Sequence, residues 1–173
     1  ERILEVDNGI DLDEYFPSNS GGSTVFINVG TQNKNKNQAM LLSAFQIVAS
    51  NHPDSRLILV GDGPEHDALL AASKGDSRIV LPGSVTNVAE WLSRANVYVQ
   101  CSFREAMPMA VIEAMASGLP VITTNVGGVG DVVRDGREGL LIEPGSKDAL
   151  VDAMERFYDA GFRSRRSEER RVG

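Results

Sequence analysis

Residues 105–124 read EAMPMAVIEAMASGLPVITT. A helical run from Pro108 to Ser117 ends at Gly118, and an apolar stretch, Leu119 to Thr124, follows it directly. Glycine just past a helix and β-branched residues beyond it mark a helix handing over to a strand. The segment before it, NVYVQ from Asn96 to Gln100, is a second apolar run too short for a helix. Strand, helix, strand is the unit of a parallel sheet.

The unit repeats along the chain. TVFINVG (Thr24 to Gly30) reads as a strand, and Asn37 to Ser50 as a helix with Met40, Leu41, Ala44, Phe45 and Val48 at helical spacing. RLILVG (Arg56 to Gly61) is the next strand and Pro64 to Ala72 the next helix. SRIVLPG gives a short strand, Val88 to Ser93 a small helix around Trp91, GGVGDVV a short helix, GLLIE a last strand and Lys147 to Tyr158 a final helix. Strands that are apolar throughout, separated by helices, predict a sheet covered on both faces. The expected architecture is α/β, a Rossmann-like doubly wound parallel sheet of about six strands with helices on both faces. Ligands of such sheets bind outside the carboxyl ends of the strands.

Composition excludes several other classes. The 173 residues are 42% hydrophobic, enough for one ordinary core. With 17 basic against 24 acidic residues the formal charge is −7, which argues against nucleic acid or an anionic membrane as partner. One cysteine, Cys101, and two histidines, His52 and His66, give no disulfide framework and no metal cluster. No apolar run is long enough to span a bilayer, and no signal peptide is read at the start. The chain opens without Met in the middle of an apparent strand, RILEV, and so reads as a piece of a longer protein. Residues 1–23 are expected to be a hinge or linker, 24–160 the ligand-binding domain, and 161–173 a charged tail.

Two carboxylates stand eight positions apart in the opening stretch, Glu105 and Glu113. Pro108, with no N–H and a preset φ, suits the first position of the helix. Glu105 then lies in the loop before it and Glu113 more than one turn inside. Free N–H groups near Met109 and Ala110, with the helix dipole, predict an anion site. Carboxylates placed directly on a phosphate would repel it, so they read as acceptors for hydroxyls flanking one. A sugar and a ribose on either side of a diphosphate fit that demand: a nucleotide-sugar.

The same residues resemble a family. Glu105 to Gly128, EAMPMAVIEAMASGLPVITTNVGG, is similar to the E-x7-E signature of retaining glycosyltransferases of group 1 (family 4), which have the GT-B fold of two Rossmann-like lobes. Asn8 to Asp11 (NGID), Val29–Gly30, Lys36–Asn37, Leu59 to Pro64 (LVGDGP) and Pro82 to Val85 (PGSV) also look like this family, in the right order. The resemblance is to the C-terminal, donor-binding lobe. It implies that Glu113 holds the ribose hydroxyls and that Glu105, as the catalytic residue, lies near the donor sugar. It implies backbone contacts from Ala106, Met107, Pro108, Met109 and Ala110 to sugar and diphosphate, and close backbone approach at Gly30, Gly61 and Gly63. Ser84 and Val85 fall in the base-contacting loop. Lys36 matches the family's lysine for the diphosphate. Thr31 stands where an arginine is common, leaving Lys34, in a shifted position, or Lys36 alone to neutralise charge. No metal or other cofactor is implied, and Asp11-x-Asp13 is discounted as a metal motif. The expected substrate is a UDP- or GDP-sugar, and the expected partner is the N-terminal acceptor-binding lobe of the same protein. Polysaccharide or glycoconjugate synthesis in the cytoplasm is the expected setting, with any membrane contact made peripherally at the inner face through that other lobe.

Singly, these residues have plainer readings. Glu105 alone is a helix-start acid, Glu113 a salt-bridge partner, Lys36 a surface lysine, Gly61 to Gly63 a turn, and Met107 and Met109 packing residues. A nicotinamide-binding domain would need G-x-G-x-x-G after the first strand, which VGTQNK lacks. A non-catalytic module that binds a nucleotide-sugar stays open as the alternative.

Overall fold

A computed structural model of the chain describes residues 23–159. The expected RILEV strand, Asn8 to Asp13 and the charged tail lie outside them. Six strands run β1 (Val25–Val29), β2 (Arg56–Val60), β3 (Ile79–Gly83), β4 (Val97–Gln100), β5 (Val121–Thr124) and β6 (Gly139–Ile142). Between them stand α1 (Gln38–Asn51), α2 (His66–Ala72), α3 (Val88–Leu92), α4 (Met109–Ala116) and α5 (Val129–Val132), with α6 (Lys147–Glu155) after β6. The expected final helix reaches Tyr158 only by tightening: Arg156–Tyr158 is a 3-10 turn.

Every pairing is parallel and the order is β3-β2-β1-β4-β5-β6. Successive strands step outward from β1 to β3, then the chain returns to the other side of β1 and steps outward again. Chain direction across the sheet therefore reverses between β1 and β4, and the helices that follow those two strands, α1 and α4, go to opposite faces, which is where such sheets open a crevice.

Alternation along the strands explains why no strand shows a polar face. Phe26, Leu57, Leu59, Val97 and Val99 pack on α1 and α6, with Leu41, Phe45, Val48, Leu150 and Met154. Their neighbours Ile27, Ile58, Val60, Tyr98 and Val121 face the other way, onto Leu92, Val111 and Ala114 of α3 and α4. Period-two side chains with both faces covered demand apolar residues at every position. Burying one such side chain contributes about 1.5–3 kcal/mol. The far end of α6 is fastened to α1 by His52, stacked on Tyr158 at 3.5 Å and 2.6 Å from Glu155 Oε2. All of this holds the carboxyl ends of six strands in one row, and the site is built there.

Candidate functional site

Two loops meet at the reversal: residues 30–37, leaving β1, and residues 101–108, leaving β4. The Phe103 N–H donates to the Asn35 carbonyl at 2.8 Å, and Asn35 Nδ2 donates to the Arg104 carbonyl at 2.9 Å. Across the same junction Lys36 Nζ reaches Glu105 Oε1 at 2.5 Å. Ser102 Oγ donates to the same oxygen at 2.6 Å, and Thr124 Oγ1, at the end of β5, donates to the Ser102 carbonyl at 2.6 Å. The Glu105 side chain is only 8% exposed. It is therefore no ordinary solvated acid at a helix start, and Lys36 is no ordinary surface lysine.

A third loop closes on Glu105 from behind. Gly127 has φ +53, and a Cβ there would fall 1.7 Å from the Glu105 carbonyl oxygen. Only a residue without a side chain permits that approach. The turn from β5 into α5 is thus also the wall that seats the Glu105 backbone.

Pro108 is not the first helical residue. It is the cap before α4, with φ −84 and ψ 59, because the chain is still turning into the helix there. Its carbonyl accepts from the N–H groups of Val111 and Ile112, and the Met109 N–H turns back to the Met107 carbonyl at 3.0 Å. Of the two donors expected near Met109 and Ala110, only Ala110 keeps a N–H without a partner among the described residues. No side chain caps α4 and no acid lies in its first turn, so the positive end of its dipole is uncompensated.

One turn in, Glu113 is half-buried, and among the described residues its carboxylate has neither ion pair nor hydrogen bond. Burial raises its pKa above the ordinary value. A desolvated, unpaired carboxylate is an acceptor awaiting donors. Tyr98, fully buried beneath the crevice, has its phenol pushed well above its ordinary value, first by burial, then by the Glu105 carboxylate and, less, by Glu113. Both carboxylates thus act on one buried phenol. Cys101 at the end of β4 is buried, with its thiol pushed up to about 12, and has none of the thiolate character of a nucleophile.

Other expected residues sit differently. Gly30 and Thr31 begin the β1 loop, and the Thr31 carbonyl accepts from Gln38 Nε2 at 3.1 Å. Lys34 does not join Lys36. It lines a groove of about 260 Å³ with Asn37, Glu65 and Phe103. Gly61 and Gly63 do admit close backbone, but that of the neighbouring loop: a Cβ would fall 2.1 Å from the Gly30 oxygen and 2.4 Å from the Gln32 oxygen, respectively. Ser84 and Val85 follow β3, two strand spacings or about 10 Å from β1. Met107, expected to pack, is exposed, as is Phe103.

Sequence reasoning read Thr124 only as a strand end and passed over Ser102 and the amides Asn28, Gln32, Gln38 and Gln100, all buried near the strand ends. The signal was present as polar residues at the carboxyl ends of otherwise apolar strands, and as serine three positions before Glu105.

Comparison with known proteins identifies the family and the fold. The family described as glycosyl transferases group 1 matches residues 23–160. An Escherichia coli UDP-Gal:alpha-D-GlcNAc-diphosphoundecaprenol alpha-1,3-galactosyltransferase is 30% identical over 176 residues, covering 91% of this chain and 46% of its own length. The C-terminal domain of a group 1 glycosyl transferase family protein, LpcC from Francisella tularensis, has the same fold, with TM-score 0.81 at 22% identity over 94% of both chains. Anabaena HepE, solved in complex with UDP and glucose, matches with TM-score 0.79 at 22% identity over 89% of this chain and 46% of its own. The chain spans about half the length of the curated relatives it matches. With the family model covering most of its length, the chain belongs to the group 1 glycosyl transferases.

Proposed function

We propose that this chain is the donor-binding half of a two-lobed retaining glycosyltransferase, which moves a sugar from a nucleotide diphosphate to a hydroxyl acceptor in polysaccharide or glycoconjugate synthesis. The observation that carries the reading is the pairing, at the reversal of the sheet, of a nearly buried Lys36–Glu105 contact with an unpaired, desolvated Glu113 one turn into α4.

Each group has a task that its surroundings suit. Glu113 accepts from the ribose hydroxyls. Lys36, the Ala110 N–H and the positive end of α4 neutralise the diphosphate as the bond from the anomeric carbon to the phosphate oxygen breaks. The nucleotide diphosphate leaves with the electron pair, the acceptor oxygen forms the new bond on the same face, and the acceptor proton passes to a base. Glu105 orients the donor sugar and stabilises positive charge developing on its ring. The backbone of Ala106 to Met109 lies along sugar and diphosphate, and Ser84 and Val85, farther along the row of strand ends, meet the base. Residues 24–160 form this domain, and acceptor and proton acceptor come from an N-terminal lobe. Among the described residues no helix is long and apolar enough to cross a membrane. A cytoplasmic protein whose membrane contact, if any, runs through the other lobe fits the reading.

NMR titration of this chain with UDP and with GDP tests it. Shifts are expected at Lys36, Ala106 to Ala110 and Glu113, with affinity of about −4 to −6 kcal/mol for half a cleft. Shifts confined to His52 and Ser55, at the opposite end of the strands, refute the assignment.

A further inference from the structure

Both contacts to the Glu105 carboxylate fall on one oxygen. Lys36 Nζ lies 2.5 Å and Ser102 Oγ 2.6 Å from Oε1. Oε2 has no partner among the described residues, and it is not among the buried polar atoms left unpaired, so it stays accessible. We propose that Ser102 is a positioning residue, which anchors Oε1 of Glu105 so that Oε2 is the oxygen presented to the donor. The inference rests on the donor-binding role given to Glu105 above.

Lys36 cannot do this alone. An ammonium on a flexible four-carbon stem has three donors and no preferred fork, so it tolerates rotation of the carboxylate it pairs with. The Lys36 side chain is 24% exposed, and the proposed function gives it a second anion to serve when a diphosphate enters. Ser102 has no such freedom. Its residue is fully buried, its carbonyl is held by Thr124 Oγ1 at 2.6 Å, and its Oγ meets Oε1. Because an ionised carboxylate only accepts, the hydroxyl proton is committed to Glu105. Gly127 closes on the backbone of the same residue. Lys36 is the mobile ammonium just described, and Tyr98 donates to the Val29 carbonyl and to Gln100 Oε1, so neither fixes which oxygen points outward. The chain of contacts runs from the end of β5 through the end of β4 to the reacting region, so the sheet itself sets the carboxylate's orientation.

The test uses the full-length protein, with donor turnover and nucleotide affinity measured on the same variants. Ser102→Ala is expected to lower kcat about 10- to 100-fold, the scale of an ångström misplacement at a reacting centre. Donor KM and the calorimetric Kd for UDP or GDP are expected to stay within about twofold, because Glu113 and Lys36 are untouched. Ser102→Thr, which keeps the hydroxyl, or Ser102→Cys, which keeps the size with a weaker donor, should recover part of kcat. An unchanged kcat in Ser102→Ala overturns the proposal. So does a loss that neither conservative variant recovers, or one that appears equally in nucleotide Kd, since either marks a structural role. Glu105→Gln separates the two levels. If that variant turns over normally, the reading of Glu105 fails; if it is inactive while Ser102→Ala is unimpaired, only the role of Ser102 falls.

Discussion

Gly127→Ala tests whether the third loop holds Glu105. The position has φ +53, and an alanine in the left-handed region costs about 1–2 kcal/mol. Its Cβ would also lie 1.7 Å from the Glu105 carbonyl oxygen and 2.8 Å from the carbonyl carbon. Neither atom is the end of a flexible side chain, so the two loops must part by more than an ångström, an overpacking that costs about 1–3 kcal/mol more. The sum is about 2–5 kcal/mol, a large share of the stability of an ordinary domain. For a chain of this size each kcal/mol lowers the melting temperature by about 2–4 °C, so a cost of about 3 kcal/mol lowers it by about 6–12 °C. Gly118→Ala supplies the control. It has φ +71 with nothing within 4 Å of an added Cβ, so it carries the backbone cost alone. Urea and thermal unfolding of this chain measure both, and NMR of the Gly127 variant should show the largest shifts at residues 102–108. Equal losses in the two variants would refute the claim that close approach to Glu105, rather than backbone conformation, requires glycine at 127.

Glu113→Gln should separate stability from binding. Burial raises the Glu113 pKa, so the folded chain holds that proton to higher pH than the unfolded chain. The resulting penalty is absent below the unfolded value and grows as pH rises through the folded one. The amide should therefore raise the melting temperature at pH 7 and leave it unchanged below about pH 4, while nucleotide binding weakens by about 1–3 kcal/mol. An equal gain at both pH values argues against desolvation as the cause. Lys36→Met strands a nearly buried carboxylate with Ser102 as its remaining donor, and should cost about 1–3 kcal/mol of stability and weaken UDP or GDP binding tenfold or more. Adding Glu105→Gln should recover part of the stability but none of the affinity; a strictly additive double variant would mean the two side chains do not interact.

The fold was legible because its cause is local. Strands buried on both faces must be apolar at every position, and VFINV, RLILV, VYVQ and VITT nearly are. Gly118, just past α4, marks where that helix ends. What could not be read is polar and long-range. Asn28 Nδ2 meets the Val99 carbonyl at 2.7 Å across 71 residues, and Gln32 Nε2 meets the Gly61 carbonyl at 2.9 Å across 29. No period in sequence announces such contacts, since each is set by which strands lie side by side. Pro108 shows a different failure. Proline suits both the cap and the first turn, and only the backbone angle, ψ 59, chooses between them.

Lys36 and Glu105 were read one at a time, as a cation for a diphosphate and a carboxylate for a sugar, and their pairing was not foreseen. On the proposed roles, their contact changes what a donor must do on arrival. Without the pair, an 8% exposed carboxylate would stand uncompensated beside an incoming polyanion, and binding would have to overcome that repulsion. With it, the Glu105 charge is compensated before a donor comes, and on the proposed roles the diphosphate shares a cation already in place. The sharing lowers the attraction Lys36 offers, and Thr31 brings no second charge where an arginine would. Ala110's open N–H and the uncapped start of α4 then carry more of the diphosphate than they would beside two basic residues. A weaker affinity is the expected consequence, while on the proposed roles Glu105 keeps its orientation through Ser102 whether or not Lys36 turns toward phosphate. On the proposed roles, the lysine answers to the ligand and the serine to the fold.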